Sequence, residues 1–229
     1  MLQQQAAPPH PLSAAIIVQE PVKVAPLPAG FVYLDEALPH IPYDAAYATE
    51  RNFTGAVVPG YEANRIALSE AMVEPLRKAS ERAAELGYAL LVWDAARPTR
   101  AVDAFVAWAK RPEEEGPSKA VHYPNVARAD MFALGYIAAR SGHSRGAAID
   151  LTLADPQGFE PMDMGTIFDF MDPLARHGAE GLSAVQAENR ETLATIMESC
   201  GFVRYEGEWW HYRLAREPFP DKFFDFVIG

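Results

Sequence analysis

Apolar residues recur at three- and four-residue steps from Asn64 to Leu86: Leu68, Met72, Leu76, Ala79, Ala83 and Leu86. This spacing predicts an amphipathic helix that Gly87 stops. Pro75 lies inside the run and is expected to kink it or mark a second start. Ala89–Trp93 is a short apolar strand leading into Asp94-Ala95-Ala96-Arg97-Pro98. Thr99 stands where it can cap a helix through Ala109, with Val102, Phe105 and Val106 on one face. Residues 110–125, rich in Pro and Glu, read as loop. Ala147–Leu153 reads as a strand. Ala187–Cys200 reads as a helix with Leu193, Ile196, Met197 and Cys200 inward and Gly201 past its end. Phe202–Tyr205 and Glu208–Leu214 form a hairpin turned at Glu206-Gly207.

Strands and helices mix without a regular βαβ alternation, and a tight turn makes the last two strands antiparallel. The expected class is α+β, a small, mainly antiparallel sheet flanked by helices. Residues 1–30 are proline-rich and carry no useful period, so they read as an extended N-terminal arm, with the domain proper over 31–229. The arm has no basic n-region and its longest aliphatic run, Ala14–Val18, is short, so it does not read as a signal peptide. It is compatible with what remains after a leader is cut, which leaves the compartment open: cytoplasmic by default, periplasmic if a leader was removed.

Composition narrows the function classes. The 229 residues are 49% apolar, enough for one well-packed domain and too many for a disordered chain. Twenty Lys and Arg against 31 Asp and Glu leave a formal charge of −11, which repels nucleic-acid phosphates and anionic lipid surfaces. No apolar run approaches the roughly 20 residues of a membrane span. A single cysteine, Cys200, excludes an intrachain disulfide and a cysteine-based zinc knuckle, so any metal site must draw on His, Asp or Glu. Cys200 itself, on an inward helix face, reads as a structural thiol.

Three segments carry candidate chemistry. In Ser141-Gly142-His143-Ser144-Arg145-Gly146-Ala147-Ala148-Ile149-Asp150, six residues separate His143 from Asp150, and Gly146 allows a close turn between them. Asp150 then points away from the apolar Ile149, Leu151 and Leu153. In Glu208-Trp209-Trp210-His211-Tyr212, a His and a Glu stand beside two Trp. Taken alone, each has a plainer reading: Asp150 a solvated acid, His143 a polar loop residue, His211 a core histidine, the Trp pair core aromatics. Together, His143, Asp150 and His211 make a His/His/Asp set, the three protein ligands of a catalytic zinc with a fourth position for water. Glu208 is then the non-ligand carboxylate that takes the water's proton. Positions three apart on an ideal strand face opposite sides, so Glu208 and His211 can share a site only if Glu208 lies in the turn or a bulge intervenes. Arg97, between a strand end and a helix start, could stabilise an oxyanion; the plainer reading is a salt bridge to Asp94.

With these segments the chain resembles the zinc D-alanyl-D-alanine dipeptidases of the VanX type, the vancomycin-resistance enzymes and their bacterial relatives. The resemblance runs from about Phe31 to the C-terminus. It includes Phe31–Glu36, Asn52–Gly55, Gly60–Arg65, Trp93–Pro98, His143–Gly146, Ile149–Leu153, Phe168–Asp172 and Glu208–Tyr212, in that order. It implies a fold of the hedgehog/D,D-peptidase kind and one zinc ion held at His143, Asp150 and His211. It implies a general base at Glu208 and transition-state stabilisation by Arg97. It further implies that the substrate amine is held near Ser141 and Asp169, with Tyr136 and Tyr61 lining a small pocket. The chain departs from the family where Ala95 and Ala96 replace a Gly and a bulky residue, and where Gly142 replaces a second Ser.

The expected reaction is hydrolysis of D-Ala-D-Ala to two D-Ala with metal-bound water as nucleophile, a chemistry shared by peptidoglycan turnover and vancomycin resistance. The enzymatic alternative is a D,D-carboxypeptidase acting on peptidoglycan stem peptides. A third reading is a non-catalytic zinc or peptide-binding domain, against which the presence of a base at Glu208 argues.

Overall fold

The computed structural model describes residues 26–229; the greater part of the expected N-terminal arm lies outside them. The chain opens with β1 (Phe31–Tyr33) and α1 (Leu34–Ala37), then β2 (Ala67–Ser69), α2 (Glu70–Glu85) and β3 (Ala89–Asp94). There follow α3 (Thr99–Ala109), α4 (Pro117–His122), β4 (Ala148–Ala154), α5 (Ala184–Ser199), β5 (Phe202–Tyr205) and β6 (Glu208–Leu214). The main sheet has the order β3-β4-β6-β5, every neighbour antiparallel, and β1 and β2 form a separate two-stranded ribbon. The α+β expectation holds.

Strand β4 is buried at all seven positions. By alternation Ile149, Leu151 and Leu153 share one face and Asp150 the other. Helices α2 and α5 pack on each other; α2 lies on β3, and α5 on β4, β5 and β6. Their inward residues, Met72, Leu76, Ala79 and Ala83 on α2 and Leu193, Ile196 and Met197 on α5, are buried. Fully burying an aliphatic side chain of this size contributes about 1.5–3 kcal/mol, so this layer makes the sheet a rigid platform for the groups on its other face. Among the described residues, no helix is long and apolar enough to cross a membrane.

The structure differs from the periodic reading in five places. Helix α2 starts at Glu70, because Leu68 belongs to β2, and it ends before Leu86, which is exposed. Pro75 lies inside α2 without ending it; so near the N-terminus it removes only the bond to Ala71. Thr99 is not a side-chain cap: Pro98 is the N-cap residue, and the Thr99 N–H donates to the Phe224 carbonyl at 3.0 Å. The C-terminal segment thus satisfies a helix end that local sequence leaves open. Within 110–125 the short α4 starts with Pro117 at its first turn. Finally, α5 begins three residues earlier than the periodicity indicated, because Ser183 and Gln186 form a reciprocal capping box.

Candidate active site

The site is assembled across three neighbouring strands. Asp150, on the central strand β4, pairs with Asp94 of β3 on one side and His211 of β6 on the other. A register shift at Trp93 brings Asp94 opposite Asp150. A second one settles the question of Glu208. Tyr205 pairs with Glu208 while Arg204 pairs with Tyr212, so residues 209–211 bulge from the β5–β6 ladder. Glu208 and His211 therefore face one cavity, with Glu208 Oε2 4.0 Å from His211 Nδ1.

His143 arrives from a single 3-10 turn, His143–Arg145. Its N–H donates to Ser141 Oγ at 3.2 Å, and its carbonyl accepts from the Arg97 N–H at 3.3 Å. The turn is closed by Gly146 at φ +62°. A Cβ there would lie 2.9 Å from the Phe31 ring, so glycine is required both by conformation and by space. The His143 ring is oriented by Nδ1, 2.7 Å from the Ala95 carbonyl oxygen. That contact makes Nδ1 the protonated nitrogen and leaves the Nε2 lone pair for the cavity.

Nε2 of His143 lies 3.2 Å from His211 Nδ1 and 3.3 Å from Asp150 Oδ2, and His211 Nδ1 lies 2.9 Å from Asp150 Oδ1. The three candidate donor atoms all fall within 4.8 Å of one another. Two imidazole nitrogens and a carboxylate converge on one point, where a shared ring proton or a bound cation offsets the repulsion of their lone pairs. The set fits a zinc ion: borderline nitrogen and oxygen donors, three in number, with room for a fourth partner. Burial pushes Asp150 up, but His143 and His211 outweigh it and hold the carboxyl well below its usual range. Burial pulls His211 down, while Asp150 more than restores it, leaving the imidazole above its usual value.

Arg97 sits beside this cluster. Its Nε donates to Asp94 Oδ2 at 2.8 Å and its Nη2 to Asp150 Oδ2 at 3.2 Å, and its guanidinium lies 5.0 Å from the Tyr47 ring centroid. The salt bridge to Asp94 exists, and it does not take Arg97 out of the cavity: Nη1 makes no hydrogen bond to the described residues and Arg97 lines the wall. Glu208 is pushed up to about 7, above all by burial; Asp150 adds to the rise, while His211 and Arg97 oppose it. A carboxyl titrating near neutrality can both accept and return a proton.

The remaining expected residues divide. Ser141, Tyr136 and Asp169 line the same cavity, of about 260 Å³. Asp169 is buried, in the left-handed region at φ +57°, and its Oδ2 accepts from Tyr47 Oη at 2.8 Å. Burial, reinforced by Asp150, raises its carboxyl well above the usual range. Tyr61 does not reach the cavity wall. It lies behind Asp94, donating to Oδ1 at 2.7 Å. Tyr47 does line the wall, as do Tyr136 and Tyr205, and the sequence offers no sign of it because Tyr47 sits in an aperiodic stretch with no local signal. Of the tryptophans, Trp210 forms wall, whereas Trp209 is core, its Nε1 donating to Thr166 Oγ1 at 2.7 Å.

The sequence pattern of the family described as D-Ala-D-Ala dipeptidase matches residues 28–228. The chain belongs to the D-Ala-D-Ala dipeptidase family. These dipeptidases are zinc-dependent metallopeptidases, in keeping with the His–Asp–His set. The chain is 52% identical over 199 residues to a D-alanyl-D-alanine dipeptidase of Streptomyces coelicolor, covering 87% of this chain and 98% of that one. It is 49% identical over 200 residues to the dipeptidase of Enterococcus faecalis, with the same coverage. The Escherichia coli dipeptidase is 31% identical over 178 residues, 78% of this chain and 81% of its own. The vancomycin-resistance D,D-pentapeptidase VanY, solved with Zn(II), overlays with a TM-score of 0.39 at 19% identity, over 67% of this chain and 76% of its own, a likeness too distant to bear on the site.

Proposed function

We propose that this dipeptidase hydrolyses free D-Ala-D-Ala to two D-Ala, using His143, Asp150 and His211 as zinc ligands, within a catalytic domain of residues 31–229 preceded by the arm. The observation that carries the reading is the placement of Glu208, a carboxyl poised near neutrality, beside the His–Asp–His set in one cavity with Asp169. When bound, zinc supplies Lewis acidity and lowers the pKa of water.

The protein's own groups do the rest. Glu208 takes the proton of the attacking water and returns it to the leaving amine. Arg97, clamped by Asp94, directs its Nη1 to the carbonyl oxygen as charge develops there, and needs no reorganisation at that moment. Asp169, supported by Tyr47 and with Ser141 nearby, holds the substrate ammonium. A buried carboxylate that lacks a cation of its own is costly to ionise, and an arriving ammonium removes that cost. This favours a free dipeptide over the D,D-carboxypeptidase alternative, because an acylated amine offers Asp169 no charge.

The test is turnover of D-Ala-D-Ala against N-acetyl-D-Ala-D-Ala by zinc-loaded protein. The free dipeptide is the expected substrate. Turnover of the acetylated peptide alone selects the carboxypeptidase. Zinc-loaded protein inert on both selects a binding role.

A further inference from the structure

A free dipeptide carries two charges, and the site described so far accounts for one. Among the residues lining the cavity, the acids are Asp150, Asp169 and Glu208, and the cations are Arg97 and Arg140. Arg97 is committed: its side chain is 12% exposed and ion-paired with both Asp94 and Asp150. Arg140 is not. It is exposed, and it makes no hydrogen bond or ion pair with the described residues. Its guanidinium lies 5.4 Å from the centroid of the Phe223 ring. Arg145 approaches the same ring at 5.3 Å, but Glu217 neutralises it through two bonds of 2.8 Å. Arg140 is thus the cation of the cavity wall that keeps its charge available.

We propose that Arg140 recognises the α-carboxylate at the C-terminal end of the substrate, as a specificity-determining residue. A planar guanidinium matches a carboxylate with two parallel N–H donors, which an amide or ester cannot use equally. The Phe223 ring gives the long side chain a surface to lie on, limiting the conformational freedom lost on binding. Arg140 directly precedes Ser141, so the loop that orients His143 also carries the carboxylate reader. Asp169 and Arg140 then give opposite charges to a zwitterion whose own charges have that pattern. This assignment rests on the dipeptidase reading.

The experiment compares kcat/KM for D-Ala-D-Ala and its C-terminal amide in the parent, Arg140→Ala and Arg140→Lys. The parent is expected to prefer the acid. Arg140→Ala should lose about 10- to 100-fold on the acid, the scale of a charge-assisted hydrogen-bonded contact, chiefly through KM, and little on the amide. Arg140→Lys should recover part of the loss. Equal losses on acid and amide, or no loss on the acid, overturn the assignment; the amide rate itself reports intact folding. If the parent turns over neither peptide, calorimetric binding of the same pair decides. Arg140-dependent preference for the acid then upholds the carboxylate site while the dipeptidase reading fails. Binding without that preference, or no binding, overturns the assignment.

Discussion

Asp150 and His211 are direct cross-strand partners, and Oδ1 of one lies 2.9 Å from Nδ1 of the other. The pair joins two motifs 61 residues apart through the β4–β6 ladder. Asp150 also faces Arg97 and His143, so one buried carboxylate touches every basic group at the centre of the site.

Removing the acid–base group and removing a ligand should have separable effects. Glu208→Gln is expected to lower kcat by about 10²–10⁴-fold while zinc content stays near one per chain. His143→Ala or His211→Ala should lower zinc content itself. Metal analysis beside steady-state rates distinguishes them, and a Glu208→Gln protein at the parent rate removes Glu208 from its role.

Tyr61 is expected to act through Asp94 and Arg97. Tyr61→Phe leaves Asp94 Oδ1, buried, without its donor at 2.7 Å. The cost should be about 1–3 kcal/mol in urea unfolding, with a fall in kcat as Arg97 loses its fixed anchor. Unchanged stability and rate would show that Arg97 alone holds Asp94.

Tyr47→Phe keeps the ring packed against Phe53, Tyr61 and Phe105 and deletes only the hydroxyl, which donates to Asp169 at 2.8 Å and accepts from Arg97 Nη2 at the longer distance of 3.5 Å. The expected result is a higher KM for D-Ala-D-Ala with a smaller change in kcat. A change in kcat alone would place Tyr47 with the reacting carbonyl instead.

Gly146→Ala should destabilise by about 1–3 kcal/mol, since alanine is disfavoured at φ +62° and its Cβ would press on the Phe31 ring. The turn presenting His143 would shift with it. Zinc affinity and melting temperature should fall together, and an unchanged melting temperature would show that the turn relaxes freely.

Acid sensitivity should have a contribution remote from the cavity. Burial, then Arg204 and Arg190, pull His177 down to about 4, against some opposition from Glu191 and Glu198. Well above pH 6.5 the imidazole is neutral whether folded or unfolded and contributes no pH dependence. Between about 6.5 and 4 the unfolded chain binds the proton and the folded chain does not, so stability falls as pH falls. Urea midpoints from pH 7.5 to 4.5 should decline less steeply for His177→Gln. Parallel declines would assign the effect to other groups.

Much of the site was legible because its chemistry is local. The six-residue interval from His143 to Asp150 spans one turn and the start of one strand, with Gly146 marking the turn. The apolar alternation of β4 assigned Asp150 to the face away from the helix layer. The hairpin and its glycine located Glu208 and His211. Helix ends were less legible, because their partners are distant: the start of α3 is satisfied by Phe224, and Leu68 was drawn from the helical run into β2 by pairing with Val32.

Residue types and intervals along the chain thus determined which groups belong to the chemistry, since a ligand set or an acid–base carboxylate is limited to a few side chains. Which groups meet was decided by tertiary structure. Strand register set Asp150 against His211, the bulge turned Glu208 toward it, and the fold put Tyr47 at the cavity wall with Tyr61 behind Asp94. No local pattern encodes those choices, because each depends on which buried polar atom finds its partner across the sheet once the core has closed.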